Sequence, residues 1–301
     1  MEQRVAAGVQ LVDRGRRPRI GKRLAPYLLT LPGGLWLAIF FLVPIVFMLS
    51  ISLQTGNLED GFRMTWHVAT YWQVLQQYHT QFVRSLIYGS IATVITLVVS
   101  YPLAYWIAFR GGRHKTTFLF MLLLPFFVSF VIRTLAWQFI LADDGILLGS
   151  LKSWHLLPKD FHVLASPVAV VSGIAYNFLP FMALPLYVSL ERIDRKVVEA
   201  ARDLYANNAQ VFTRVILPLS IPGVFAGVLL TFVPAVGDYV NASILGGTRT
   251  TMIGNIIQQE FLTNFHYPQA AALSFILMAV LLIGIFAYAK VLGARSIEEY
   301  V

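Results

Sequence analysis

The chain has 301 residues, of which 57% are hydrophobic and 13% charged, with no cysteine and a formal charge of +8. Ordinary soluble domains are about 45–50% apolar and about 25% charged, so this composition is that of a protein whose solvent is largely a bilayer. The lack of cysteine excludes a disulfide framework, a thiolate zinc site and a thiol nucleophile.

In chain order, residues 1–26 form a basic arm carrying Arg4, Arg14, Arg16, Arg17, Arg19, Lys22 and Arg23. A spanning helix needs about 20 mainly apolar residues, because the hydrocarbon core is about 30 Å thick and each residue rises about 1.5 Å. Six stretches meet that requirement, approximately 27–53, 85–109, 116–141, 167–190, 222–245 and 267–289. The first is too long for a signal-peptide core and has no small-residue cleavage site, so a membrane helix is expected there. Pro44, Pro102, Pro125, Pro180, Pro185 and Pro234 lie inside these stretches and predict kinks rather than breaks. The expectation is an all-α polytopic membrane protein with a transmembrane domain at 27–290 and a short tail at 291–301.

Lysine and arginine set the orientation. With the N-terminus inside, 17 of the 23 bases fall on inner segments and five on outer ones, and Arg133 alone lies within a span. That asymmetry predicts cytoplasmic termini. The segment from about 195 to 219 is then also cytoplasmic. In it Val197, Ala200, Ala201 and Leu204 share a helical face, while Glu199, Arg202 and Asp203 point elsewhere. Asn207 and Asn208 tolerate a left-handed turn, and a second apolar run, 211–217, ends at Pro218. Two short helices joined by a turn would present a docking surface, whereas composition alone favours an amphipathic loop resting on headgroups.

Two charges sit inside spans, Arg133 and Asp238, at a cost of about 2.5–3.5 kcal/mol each at the bilayer centre. They lie 17 residues after Thr116 and 16 after Pro222, which on straight helices puts both about 25 Å above the inner edge. Two readings stay open. Either a buried ion pair between them, or separate bonds from each to backbone and headgroups, holds the outer half of the bundle, or Asp238, helped by Tyr239, Tyr101 and Trp137, receives an ammonium group on a translocation path. The six histidines lack the i, i+4 spacing of a helical metal pair, so no metal is assigned. In "GGRHKTT" (111–117) His114 stands where a phosphate-binding loop needs glycine before lysine.

The 195–219 segment resembles the EAA loop of the membrane subunits of ABC importers, whose pattern is Glu-Ala-Ala, three residues, Gly, nine residues, Ile, any residue, Leu-Pro. Glu199-Ala200-Ala201 begins it, Val215 stands for Ile, and Leu217-Pro218 closes it. Tyr205 stands at the glycine position. A bulky residue is strained in a left-handed turn, so either Tyr205 stays helical and Asn207 or Asn208 makes the turn, or the docking geometry differs. "SYPLAYWIA" (100–108), "LLPFFVSFVIRTLAW" (123–137), "PAVGDYVNASILGG" (234–247) and "MIGNIIQQEF" (252–261) extend the resemblance to the spermidine/putrescine importer permeases, PotB-like in particular, over roughly 27–289.

This resemblance implies a type I ABC importer permease fold in a bacterial inner membrane and a non-catalytic subunit. It implies a homologous second permease, two cytoplasmic ATPase subunits that carry ATP and Mg, and an extracytoplasmic solute-binding protein, with no nucleic-acid partner. Glu199, Ala200, Ala201, Asp203, Tyr205, Asn207, Leu217 and Pro218 become the expected ATPase-coupling residues. The implied substrate is a polyamine, with an opine, another amine or a small organic anion as the alternative. An ion-coupled secondary transporter also accommodates six spans and buried charges, but leaves the EAA-like loop unexplained.

Overall fold

The computed structural model describes residues 30–158 and 160–297, with side chains as far as Lys290. The basic arm at 1–26 and residues 298–301 of the tail lie outside the described residues. The chain divides at Ser50 into two units. The first holds most of α1 (Thr30–Ser52), apolar on every side as suits a helix surrounded by lipid. Its Ala38–Leu42 segment widens into a π turn, with the Val43 N–H reaching Ala38 O. Pro44 follows directly; it lacks an N–H and its ring crowds the carbonyl four residues back, and the wider turn accommodates both.

The second unit begins with a hairpin of β1 (Gln54–Asn57) and β2 (Gly61–Met64), paired antiparallel from Gln54↔Met64 to Asn57↔Gly61. α2 (Ala69–Arg110) covers 42 residues but is kinked at Tyr78, where φ −112° and ψ 15° leave the helical region. The expected span at 85–109 is the part that follows the kink, and helical structure begins 16 residues before it. α3 (Lys115–Leu123) passes into a 3-10 turn at Leu124–Phe127, and α4 (Phe130–Leu141) and α5 (Ile146–Ser153) follow.

Here the sequence reading of 116–141 as one kinked helix is corrected: the two halves are bent by 91°. Pro125 opens the 3-10 turn, and Val128 and Ser129 are extended, with ψ of 142° and 139°, so the chain has left the helix. Heights counted along a straight helix therefore do not apply to Arg133.

α6 (Pro167–Glu191) starts with Ser166 as cap, its Oγ accepting from the Ala169 N–H at 3.3 Å, and Pro167 in the first turn, where a missing N–H costs nothing. α7 (Arg195–Asp203) and α8 (Asn208–Val236) make a helical hairpin, and α9 (Val240–Leu245), α10 (Ile253–Leu262) and α11 (Tyr267–Ile297) complete the unit. The expected span at 222–245 is likewise broken, at Gly237–Tyr239. Among the described residues five helices are long and apolar enough to cross a membrane, or six if the bent pair counts as one.

α2, α6 and α8 pack together at the centre of this unit. Toward the end of α6 that begins at Pro167, Tyr88 and Ala92 meet Val170, Ile174, Phe178 and Ala235, and toward the end that finishes at Glu191, Ala104 and Ala108 meet Met182, Leu186 and Leu190. Lipid gives apolar helices no reason to associate, so close backbone approach and interhelical hydrogen bonds do that work. Gly223 and Gly227, one turn apart, let α8 lie on α6: a Cβ on Gly227 would stand 2.7 Å from Met182 Sδ, and one on Gly223 2.8 Å from Pro185 O. Thr96 Oγ1 donates to Ala175 O at 3.2 Å and Ser100 Oγ to Leu179 O at 3.3 Å, tying α2 to α6.

Candidate functional site: a helical hairpin and a buried polar cluster

Asp194 caps α7, its Oδ1 accepting from the Lys196 N–H at 3.0 Å. The apolar residues of α7 then divide. Val198, 8% exposed, and the partly buried Ala201 turn inward with Ala206, Val211 and Ile216 against Leu186 and Leu190. Val197, Ala200 and Leu204, at i, i+3 and i+7, stay on the outside with Glu199, Arg202 and Asp203. The Glu-Ala-Ala triplet therefore has one alanine facing in and one facing out.

Leu204 follows α7, and the exit is a Schellman motif: Ala206 N–H donates to Ala201 O at 3.1 Å and Tyr205 N–H to Arg202 O at 2.9 Å. The residue at its turn must be left-handed, which is the physical reason for glycine at this place. Tyr205 occupies it with φ +61°. The expectation that Tyr205 stays helical while an asparagine turns the chain is corrected, because the Schellman bonds put the turn at Tyr205 itself. Asn207, with φ −73°, instead caps α8 through a capping box: Gln210 N–H donates to Asn207 Oδ1 at 2.8 Å, and Asn207 N–H to Gln210 Oε1 at 2.9 Å.

The second limb is not a separate short helix ending at Pro218. α8 runs on into the membrane through a π turn at Phe212–Ile216, where the Leu217 N–H reaches Phe212 O. Pro218 stands two residues past that turn, as Pro44 does in α1, so Leu217-Pro218 marks a change of helical pitch. Between α6 and α8, beside the hairpin, a groove of about 770 Å³ is lined by Pro185, Ser189, Arg192, Asp194, Val197 and Pro222.

At the other end of α8, Asp238 is 6% exposed. The Asn241 N–H donates to its Oδ1 at 3.0 Å and the Asn241 amide to its Oδ2. Asn241 Oδ1 in turn accepts from Asn177 Nδ2 at 3.0 Å and from Thr134 Oγ1 at 3.2 Å. α4, α6 and α9 are thus joined through one buried polar cluster. Asn177, Thr134 and Asn241 were missed in the sequence, although lone amides inside apolar stretches are the signal that could have found them.

The candidate ion pair is not formed. The ion pairs among the described residues lie elsewhere, at Lys115–Glu191 and Lys152–Asp143, with His162 Nδ1 on Asp143 and His266 Nδ1 on Glu260 as further polar contacts. Arg133, 8% exposed, packs its guanidinium over the Phe126 ring at 4.2 Å from the centroid, and its Nε and Nη1 have no hydrogen-bond partner. The 91° bend removes the straight-helix geometry that suggested pairing.

The proposed aromatic helpers do not converge on Asp238 either. Tyr101 lies in the C-terminal half of α2, its hydroxyl 2.7 Å from Ser220 Oγ and its ring edge-on to Phe212. Trp137 stands against Tyr176, at 5.4 Å between centroids. Tyr239 follows Asp238, and its carbonyl accepts from Asn255 Nδ2 at 2.9 Å.

Residues 100–295 match the family described as binding-protein-dependent transport system inner membrane component. The spermidine/putrescine transport system permease protein PotB of Haemophilus influenzae is 36% identical, over 87% of this chain and 93% of that protein. The PotB of Escherichia coli is 34% identical, over 82% and 90%. Among solved structures, a bacterial ABC transporter involved in the import of the acidic polysaccharide alginate superposes with a TM-score of 0.67 at 18% identity, over 92% of this chain and 99% of that one, a likeness of fold. A multi-pass helical chain that carries an EAA-type hairpin, matches this family over residues 100–295 and is 36% identical to one of its permeases belongs to the binding-protein-dependent transport system inner membrane components.

Proposed function

We propose that this permease imports polyamines of the spermidine/putrescine class, as half of an ATP-driven translocation pathway. The observation that carries the substrate class is the 36% identity to PotB across 93% of that protein. A homologous second permease would complete the pathway, an extracytoplasmic receptor would deliver solute, and two ATPase subunits would hold ATP and Mg. In this reading the termini and the α7–α8 hairpin are cytoplasmic, as the 17-to-5 distribution of bases favours. Because α8 is continuous from the hairpin to Val236, a hairpin moved by ATPase closure would tilt the helix that ends at Asp238. Such switching requires ATP and loaded receptor to bind the two states unequally.

Asp238 takes a structural role in this proposal. Both its carboxylate oxygens already accept from Asn241, and at 6% exposure little of the group is open to an ammonium. The test is reconstitution of the full transporter in liposomes. Labelled spermidine or putrescine should accumulate only with receptor outside and ATP inside, and an excess of an anionic solute should not compete. Solute movement by the permease without an ATPase would overturn the ATP-driven reading, and competition by organic anions alone would overturn the polyamine reading.

A further inference from the structure

We infer that the bend between α3 and α4 is an anion site, in which the Arg133 guanidinium and the N–H groups that open α4 together receive a halide or a carboxylate. The site is independent of which solute the permease carries.

α4 begins where the chain has just left its 3-10 turn through the extended Val128 and Ser129. The Arg133 N–H is the first to bond, donating to Ser129 O at 3.0 Å. The N–H groups of Phe130, Val131 and Ile132 precede it and have no acceptor among the described residues. The Ser129 hydroxyl makes no cap and the first turn holds no acid. Three aligned N–H groups at the positive end of a helix dipole attract an anion.

The arginine adds a full charge at the same place. Helical side chains lean toward the N-terminus of their helix, and the Arg133 guanidinium lies 4.2 Å from the ring centroid of Phe126, in the turn before α4, and 5.8 Å from that of Phe130, its first residue. Arg133 is more than nine-tenths buried, its Nε and Nη1 have no partner, and it belongs to none of the ion pairs among the described residues. Asp238, in the adjoining polar cluster, is already held by Asn241.

The surroundings offer nothing in exchange. Ser129 is exposed, and so are the apolar Phe127, Val131 and Ile132 around it. Hydrocarbon has no acceptor, so open backbone at membrane depth must face protein or a water-filled cavity. Water would satisfy the donors and leave the charge, whereas an anion answers both. A polyamine, being a cation, does not fit. The source is a free anion or a carboxylate side chain of the second permease, the latter resting on the pairing proposed above.

Melting of the isolated permease in detergent tests the site, with chloride, bromide or gluconate supplied at constant ionic strength. In gluconate, too bulky for the bend, Arg133→Met should melt no earlier than wild type. With bromide at about a hundredfold its Kd, the wild-type midpoint should rise by about 5 °C, and that of Arg133→Met should not move. Ser129→Asp puts a carboxylate at the cap, so it should melt in gluconate as wild type does in bromide, and stay flat as bromide is added. If Ser129→Asp responds to bromide as wild type does, the halide binds elsewhere and the inference is wrong. If wild type ignores halides, the carboxylate of the second permease is the remaining source. Arg133→Met should then weaken association of the two permeases in the assembled transporter about tenfold or more, with Arg133→Lys keeping most of it. Wild type that ignores halides, in a transporter that assembles equally well with Arg133→Met, would show that no anion is held at the bend. Carriage of a solute other than a polyamine would leave all of these outcomes unchanged.

Discussion

Asn241 holds Asp238 from two sides, its backbone N–H on Oδ1 at 3.0 Å and its side-chain amide on Oδ2. The pair lies where the fifth apolar stretch breaks, and Asp238, one residue before the N-cap Tyr239, satisfies a first-turn N–H of α9 as a side-chain cap would. Loss of such a cap costs about 1–2 kcal/mol. Asp238→Ala should lower the thermal midpoint in detergent accordingly, and Asp238→Asn, which keeps an acceptor, should lower it less. Spermidine uptake per assembled Asp238→Asn transporter should stay near wild type; its loss with assembly intact would restore a substrate-binding role.

Arg133 offers a contest between two effects. The guanidinium over Phe126 gains about 2 kcal/mol when desolvated, whereas an unpaired buried charge costs several. Its Nε and Nη1 have no partner, so the cost should win. Arg133→Met retains the stem and lays a thioether on the ring. The isolated subunit should then unfold no earlier than wild type, and gain about 1 kcal/mol. A lower midpoint would show that the ring contact outweighs the orphaned donors.

Gly254 marks a place where two backbones touch. A Cβ there would collide with the Gly237 carbonyl oxygen and stand 3.3 Å from Tyr239 Cβ. No flexible side chain can swing aside, so Gly254→Ala should cost about 1–3 kcal/mol. Gly284, in α11, has nothing within 4 Å of an added Cβ. Gly284→Ala should be neutral or slightly stabilising, since alanine is the better helix former. Equal midpoints for the two variants would refute the contact.

Beyond the outer end of α4, Lys152 Nζ at 2.8 Å and His162 Nδ1 at 2.6 Å hold the Asp143 carboxyl below its ordinary value of 3.8. A carboxyl depressed on folding stabilises above its unfolded value, and that contribution is lost as pH falls through the lower folded one. The strap of residues 142–163 should therefore keep its protection from neutral pH down to about 4 and loosen only in stronger acid. Hydrogen exchange across the strap, corrected for intrinsic rates, checks this. Asp143→Asn should loosen it at neutral pH.

Composition and run length made the membrane helices legible, because burial in hydrocarbon is decided by each stretch on its own: 20 apolar residues cross a bilayer whatever follows them. The EAA-type spacing was legible for a related reason. A helix, a Schellman turn and a capping box are closed by residues within about six positions of one another, so Asp194, Ala201 and Asn207 carry their own instructions. What the sequence alone left undecided was which way things face and where helices stop. Val198 rather than Val197 faces inward because of where Leu186 and Leu190 lie on another helix. The third stretch bends by 91° and the fifth breaks at Gly237, although proline spacing there reads as a kink. Arg133 and Asp238, level on paper, part because a bend redirects one and Asn241 claims the other. Those outcomes depend on contacts between residues tens of positions apart, which no local pattern encodes.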